Sequence, residues 1–185
     1  MTRRTLPLLA ALAATLTLLT TACGDLMGNP YNHTDDEIAA AAAQLPSLPT
    51  LEETEAELTA VVVQIADAAT AIAPELRWEW QDERSQGGCG GAFSKTDGLK
   101  IYLQKLVTPV PISDAAWPRI LQSARDIAAP LGITDLTVRV DKPGDHDVVL
   151  TSDSGDRIML GSKVNALISA HTGCRLPASR TDPTP

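Results

Sequence analysis

The chain has 185 residues, 15 of them basic and 23 acidic, for a formal charge of −8. That balance excludes the basic surface that nucleic-acid binding requires. With three tryptophans, two tyrosines and one phenylalanine, the core has to be built chiefly from aliphatic side chains. Arg3 and Arg4 precede an apolar run from Leu6 to Ala22. Together they form the basic, apolar and small-residue regions of a secretory signal. The run is shorter than the ~20 apolar residues of a membrane span and is interrupted by Pro7 and four threonines.

Cysteine follows the small residue directly. Leu19-Thr20-Thr21-Ala22-Cys23 resembles a bacterial lipobox, with Thr20 in place of the usual leucine. That resemblance implies cleavage before Cys23 and acylation of its thiol with diacylglycerol. Two acyl chains, at about 0.8 kcal/mol per buried methylene, anchor a protein stably where one chain does not. The expected location is therefore the outer face of the cell membrane, with the membrane itself as one partner. Residues 1–22 are the signal peptide and 23–49 the lipidated cysteine, tether and a short helix. Residues 50–175 form the globular domain, and 176–185 a disordered, proline-rich tail. Loss of Arg3 and Arg4 takes the formal charge from −8 to −10, so the domain is held off an anionic lipid surface.

Gly24 to His33 is unpatterned and rich in Gly, Pro and Asn, as expected of a tether. Thr34-Asp35-Asp36-Glu37 and Thr50-Leu51-Glu52-Glu53 are capping boxes, each opening a helix. The first is alanine-rich and stops before Leu45-Pro46. The second carries Leu58, Val61, Val62, Ile65, Ala69 and Ile72 at helical spacing and ends near Pro74. Leu76–Asp82 alternates apolar and polar residues, as does Leu99–Val107, and both read as strands. Ser85–Gly91 holds four glycines and reads as a loop. A third helix is expected from about Trp117, with Ile120, Leu121, Ala124, Ile127, Ala128 and Leu131 on its buried side and Gly132 as its stop. Ser113 is its candidate N-cap.

Strands then follow at Leu136–Asp141, Val148–Ser152 and Arg157–Leu160, with turn chemistry at Lys142–Asp145 and Asp153–Asp156. Val164–Ala170 is open between a helical turn and a strand. The fold class is α+β: a single antiparallel sheet of about five to six strands with two amphipathic helices packed on one face.

Cys89 and Cys174 are left as an even pair once Cys23 is lipidated, and an exported protein can join them. Asn29-Pro30-Tyr31, Trp78-Glu79-Trp80, Gly87-Gly88-Cys89-Gly90-Gly91, Asp114-Ala115-Ala116-Trp117-Pro118 and Thr172-Gly173-Cys174 carry a wider likeness. As a set they resemble the LppA/LppV-like lipoproteins of mycobacteria and related actinobacteria, over nearly the whole mature chain. The resemblance implies an envelope location and a strand as the last segment, and it supplies no catalytic residue.

Cys89 with His146 or His171 would make a nucleophile pair only as a free thiolate, and a disulfide to Cys174 is the stronger expectation. Asp145-His146-Asp147 offers metal-ligand types, but adjacent strand residues point to opposite faces, so no metal and no cofactor are expected. Trp78 and Trp80 could stack on a sugar or aryl ligand, although so aromatic-poor a core needs their area more. Phosphate loops, dinucleotide fingerprints, nucleophile elbows and HExxH are absent from the sequence. The expectation is a non-enzymatic binding or structural module whose partner is an envelope protein, lipid or glycan and not a nucleic acid. The alternative is a small envelope hydrolase or thiol enzyme. The candidate binding loop is Gln86, Gly87, Gly88, Gly90 and Gly91, with Arg175 close by.

Overall fold

The computed structural model describes residues 32–180. The expected signal peptide, Cys23, most of the expected tether and the last five residues lie outside them. Both capping boxes form. Thr34 opens helix α1 (Asp35–Gln44) and Thr50 opens α2 (Leu51–Ile72). At the second, the Thr50 hydroxyl accepts the Glu53 N–H at 3.3 Å, and the Glu53 carboxylate accepts the Thr50 N–H at 2.9 Å. The bond from the Thr50 N–H, and after it one from the Thr50 hydroxyl, holds the Glu53 carboxyl below the usual carboxylate range. The third helix, α3 (Trp117–Ala128), takes Pro118 in its first turn, where a missing N–H costs nothing. Ser113 does not cap it. Its hydroxyl accepts the Ala116 N–H in a preceding turn, and Ala116 is the N-cap residue, without a side-chain bond. Gly132 ends the helical segment at φ 70°, a left-handed backbone that favours glycine.

Eight strands form one antiparallel sheet: β1 (Glu79–Gln81), β2 (Ser85–Gly88), β3 (Leu99–Tyr102), β4 (Lys105–Thr108), β5 (Asp135–Lys142), β6 (Asp145–Thr151), β7 (Arg157–Ser162) and β8 (Ala166–His171). Their order is β1-β4-β8-β7-β6-β5, with β2 on β3 and β3 on β8. β1 pairs with β4 and β2 with β3, while both β3 and β4 lie along β8. The eight strands thus make six ranks, two of them interrupted, which is the expected five-to-six-stranded sheet. Val164–Ala170, open in the sequence, resolves as β8.

Ser85–Gly91 departs from expectation, because its first four residues are a strand. Ladder hydrogen bonds use backbone atoms alone, so Gly87 and Gly88 pair with Lys100 and Leu99 without needing side chains. Helices α2 and α3 cover one face, where Leu58, Val62, Ile65, Ile120 and Ala124 meet Ile101, Leu106, Val148, Leu150, Ile158, Leu160 and Ile168. Full burial of a leucine or isoleucine side chain contributes about 1.5–3 kcal/mol. This layer is therefore what holds the helices to the sheet. Trp117 is buried in it. Trp78 packs against its margin. Trp80 is 43% exposed, contrary to the core placement expected for it. It sits on edge strand β1 and, with Val63, Asp67 and Thr70 of α2, lines a shallow groove of about 300 Å³.

Candidate functional site

The glycine segment and the C-terminal end of the sheet are drawn together by the Cys89–Cys174 disulfide, whose Cα atoms are 5.8 Å apart. The Leu99 N–H donates to the Arg175 carbonyl at 2.8 Å and the Arg175 N–H donates to the Leu99 carbonyl at 3.0 Å. These bonds seat Cys174 beside β3. A cavity of about 400 Å³ opens next to the disulfide, lined by Gln44, Leu48, Gly90, Phe93, Lys100 and the Asp153–Gly155 turn, among others. Of the candidate loop, Gln86, Gly87 and Gly88 lie on strand β2, Gly90 borders this cavity and Gly91 opens a short 3₁₀ turn.

Arg175 is not at the surface. It is 2% exposed and bonded to buried Asp156 at 2.7 Å. The Asp156 carboxylate also accepts the Gly173 N–H at 2.7 Å and the hydroxyls of Ser152 and Ser154. The Arg175 guanidinium donates in addition to the carbonyls of Ser154 and Cys174. A buried ion pair persists only when its remaining hydrogen-bonding capacity is taken up, and here only the Arg175 Nε lacks a partner. Gly173 is required by this clasp, since a methyl group there would collide with the Ser154 carbonyl and come within 2.5 Å of the Arg175 guanidinium. Arg175 therefore fixes the 152–156 turn from behind and presents no charge to solvent.

The face of the sheet turned away from α2 and α3 carries a second group. Arg157 on β7 is paired across strands with His171 on β8, which is paired in turn with Tyr102 on β3. Cross-strand partners project to the same face, and so does Lys100, two residues before Tyr102. The Tyr102 and His171 rings approach to 5.2 Å between centroids. Burial and the neighbouring Arg157 push the Lys100 ammonium below its ordinary range, with Arg175 adding to the effect and Asp156 opposing it. Burial likewise lowers His171, which a hydrogen bond from Nδ1 to the Thr172 carbonyl partly restores before Lys100 and Arg157 lower it further.

His146 belongs elsewhere. It lies on the helix-covered face at the end of β6, stacked on Trp117 at 4.5 Å between ring centroids. Its Nδ1 faces Asp141 at 2.7 Å and its Nε2 faces Asp114 at 2.9 Å. Only a ring with both nitrogens protonated donates to both carboxylates. Asp114 also accepts the Gly144 N–H, and that bond, followed by the one from His146, lowers its carboxyl from the ordinary value. The cluster latches the segment before α3 onto the β5–β6 hairpin. Asp145 and Asp147 do not join it. Asp145 pairs with Lys163 and Lys142, and Asp147 with Arg139. Among the described residues no group of three His, Cys, Asp or Glu side chains is arranged to hold a metal ion.

The structure thus joins Cys89 to Cys174 and sends His146 and His171 to opposite faces. Sequence reasoning did not single out Lys100 or Arg157, and it weighed Asp156 only as a turn carboxylate without the spacing of a calcium loop. Their grouping depends on which strands pair, and an Arg or Lys in an alternating segment reads locally as a solvated position.

Among known proteins, the model of a family described as LppA, a lipoprotein confined to pathogenic Mycobacterium, matches residues 27–178. A protein of known crystal structure, described as lipoprotein LppA from Mycobacterium tuberculosis, is similar in fold. It has a TM-score of 0.66 at 16% identity, over 80% of this chain and 90% of that one. A DUF4853 family protein from Actinomyces odontolyticus ATCC 17982 overlaps with 75% of this chain and 74% of its own length, at 14% identity and a TM-score of 0.48. No curated protein matches. The matched span takes in every strand, all three helices and both disulfide cysteines, and the chain belongs to the LppA lipoprotein family.

Proposed function

We propose that this protein is an exported lipoprotein, held at the outer face of the cell membrane by acyl chains on Cys23, whose domain binds a partner and does not turn over a substrate. Family membership supports the lipoprotein part of the reading, and Leu19–Cys23 supplies the site of attachment. Among the described residues no helix is long and apolar enough to cross a membrane, so acylation is the anchoring route for which the sequence provides.

The observation that carries the binding part is the bond between Cys89 and Cys174. A cysteine nucleophile needs a thiolate, and here the sulfur is spent on holding the glycine strand and the cavity beside it. Of the two histidines that could have served as its base, His146 is committed elsewhere, since both its ring nitrogens face carboxylates. The partner surface is assigned to the β2 edge, Gln86–Gly88, and the adjoining Gly90 and Gly91, with Arg175 bracing the turn behind them.

Two measurements test this. The exported protein should partition into detergent and should yield no free thiol on titration under denaturing conditions. Cys23→Ser should abolish both the partition and signal-peptide cleavage. A Cys23→Ser protein that is processed and anchored like the parent overturns the anchor. Two free thiols in protein taken from the envelope overturn the binding reading and restore Cys89 as a nucleophile.

A further inference from the structure

We propose that the helix-free face of the sheet holds a phosphate-type oxyanion between Lys100, Arg157 and His171, beside the Tyr102 ring. The inference deepens the binding reading above and rests on it.

The first support is placement. Arg157, His171 and Tyr102 occupy one cross-strand row on β7, β8 and β3, and Lys100 follows on the same face of β3. Opposite Lys100 stands Gly87, which has no side chain with which to screen it, and a methyl group there would meet only the Tyr102 ring, at 3.9 Å. The edge strand therefore places no side chain directly across from Lys100.

The second support is charge. The protein is acidic overall, and most of its basic side chains near acids are matched: Arg84 with Glu55, Lys105 with Asp82, Arg139 with Asp147, Lys163 with Asp145 and Arg175 with Asp156. Lys100 and Arg157 have no ion-pair partner among the described residues, although both are partly buried. The acids nearest to them do not fill that role. Asp156 is committed to Arg175, Gly173 and two serines. Asp153 borders the cavity that Lys100 lines without reaching ion-pair distance, and Asp135 stands at the far end of the row, two strands from Arg157. Partly desolvated cations on one face of the sheet, with only β8 between their strands, repel each other, and an anion between them removes that cost.

The third support concerns the proton. His171 donates from Nδ1 to the Thr172 carbonyl, so its neutral ring turns a bare Nε2 lone pair outward. An anion favours the protonated ring, whose Nε2–H becomes a third donor. The charged groups facing His171 are Lys100 from β3, Arg157 from β7 and Asp156 from the turn before β7, with the Tyr102 hydroxyl on the same row. Burial and the two cations keep the empty ring neutral at pH 7, and a bound anion reverses the sign of the local field. Two cations and a third donor spread over β3, β7 and β8 suit the tetrahedrally arranged oxygens of a phosphate group, as monoester or diester, better than a planar carboxylate.

The test reads the proton. His171 ring resonances of the full chain, reconstituted in phosphatidylcholine nanodiscs, are titrated with pH in chloride and in inorganic phosphate at matched ionic strength. The titration is repeated in nanodiscs containing phosphatidylglycerol. Binding raises the His171 midpoint, and a rise of one unit means that the anion binds the protonated form about tenfold more tightly. A rise with inorganic phosphate in phosphatidylcholine identifies a free oxyanion. A rise confined to phosphatidylglycerol discs identifies the lipid headgroup. Either supports the proposal only if Lys100→Gln/Arg157→Gln abolishes the rise while the His146 resonances stay in place. No rise in any arm, or one that persists in the double variant, overturns it. That result would leave the detergent-partition and thiol measurements, and with them the anchored binding module, untouched.

Discussion

Gly98 and Cys174 occupy adjoining space. A methyl group on Gly98 would collide with the Cys174 Sγ and would press on the Leu45 side chain at 3.1 Å and the Cys89 Sγ at 3.2 Å. The bridge is therefore shaped by a residue that takes no part in it. Gly98→Ala should leave a fraction of the protein with free thiols and cost about 1–3 kcal/mol, the usual range for overpacking. Thiol titration alongside urea unfolding measures both, and an unchanged midpoint with full oxidation would contradict it.

Removing the bridge itself should cost more. Its two cysteines are 85 residues apart, and the chain-entropy relation gives a loop of that size about 4–5 kcal/mol. Cys89→Ser/Cys174→Ser should lower the denaturation midpoint accordingly. A loss below about 1 kcal/mol would mean that the Leu99–Arg175 backbone bridge holds this corner unaided.

The Arg175–Asp156 clasp should behave as a buried pair. Arg175→Met or Asp156→Leu alone strands a buried charge and should cost ~3–5 kcal/mol. Arg175→Met/Asp156→Leu should cost clearly less than the sum of the two, as a double-mutant cycle would show. Additive losses would mean that the two side chains act separately.

Stability should fall with acid in two steps of known sign. His171 has a folded value below its ordinary 6.5, so its contribution is full above pH 6.5 and is lost as the pH drops toward the folded value. His171→Gln should flatten that limb of the stability curve. Asp114 has a folded value below 3.8. Its contacts with Gly144 and His146 therefore stabilise above that pH and disappear as the pH falls through the lowered value, a step that Asp114→Asn should remove.

The helices were readable because their signals are local. A threonine three residues before a glutamate, followed by an apolar stripe, names a helix start from one short stretch, and Thr50→Ala should cost about 1 kcal/mol on that account. The glycine segment misled because composition reports what side chains prefer, whereas β2 is held through its backbone by β3. Trp80 misled for a related reason: it shares the helix-covered face with Leu106, but on an edge rank that α2 only borders. Arg157 and His171 are 14 positions apart and become neighbours only through the pairing of β7 with β8. No periodicity within either segment contains that fact.

The last strand in the sequence is not the last in the sheet. β8 lies inside, between β7 on one side and the β3 and β4 segments on the other. A chain emerging N-terminus first can form the β5–β6–β7 meander and the β1–β4 pairing as separate pieces. They share no strand until residues 166–171 arrive to fill the gap, and the partner of Cys89 arrives three residues later still. On the proposed export route, a chain threaded N-terminus first through a membrane pore would stay open along its whole passage and close only after nearly all of it had crossed. A stop codon between Ser162 and Ala166 would leave two half-sheets with exposed inner edges, a product fit for proteolysis and not for assembly.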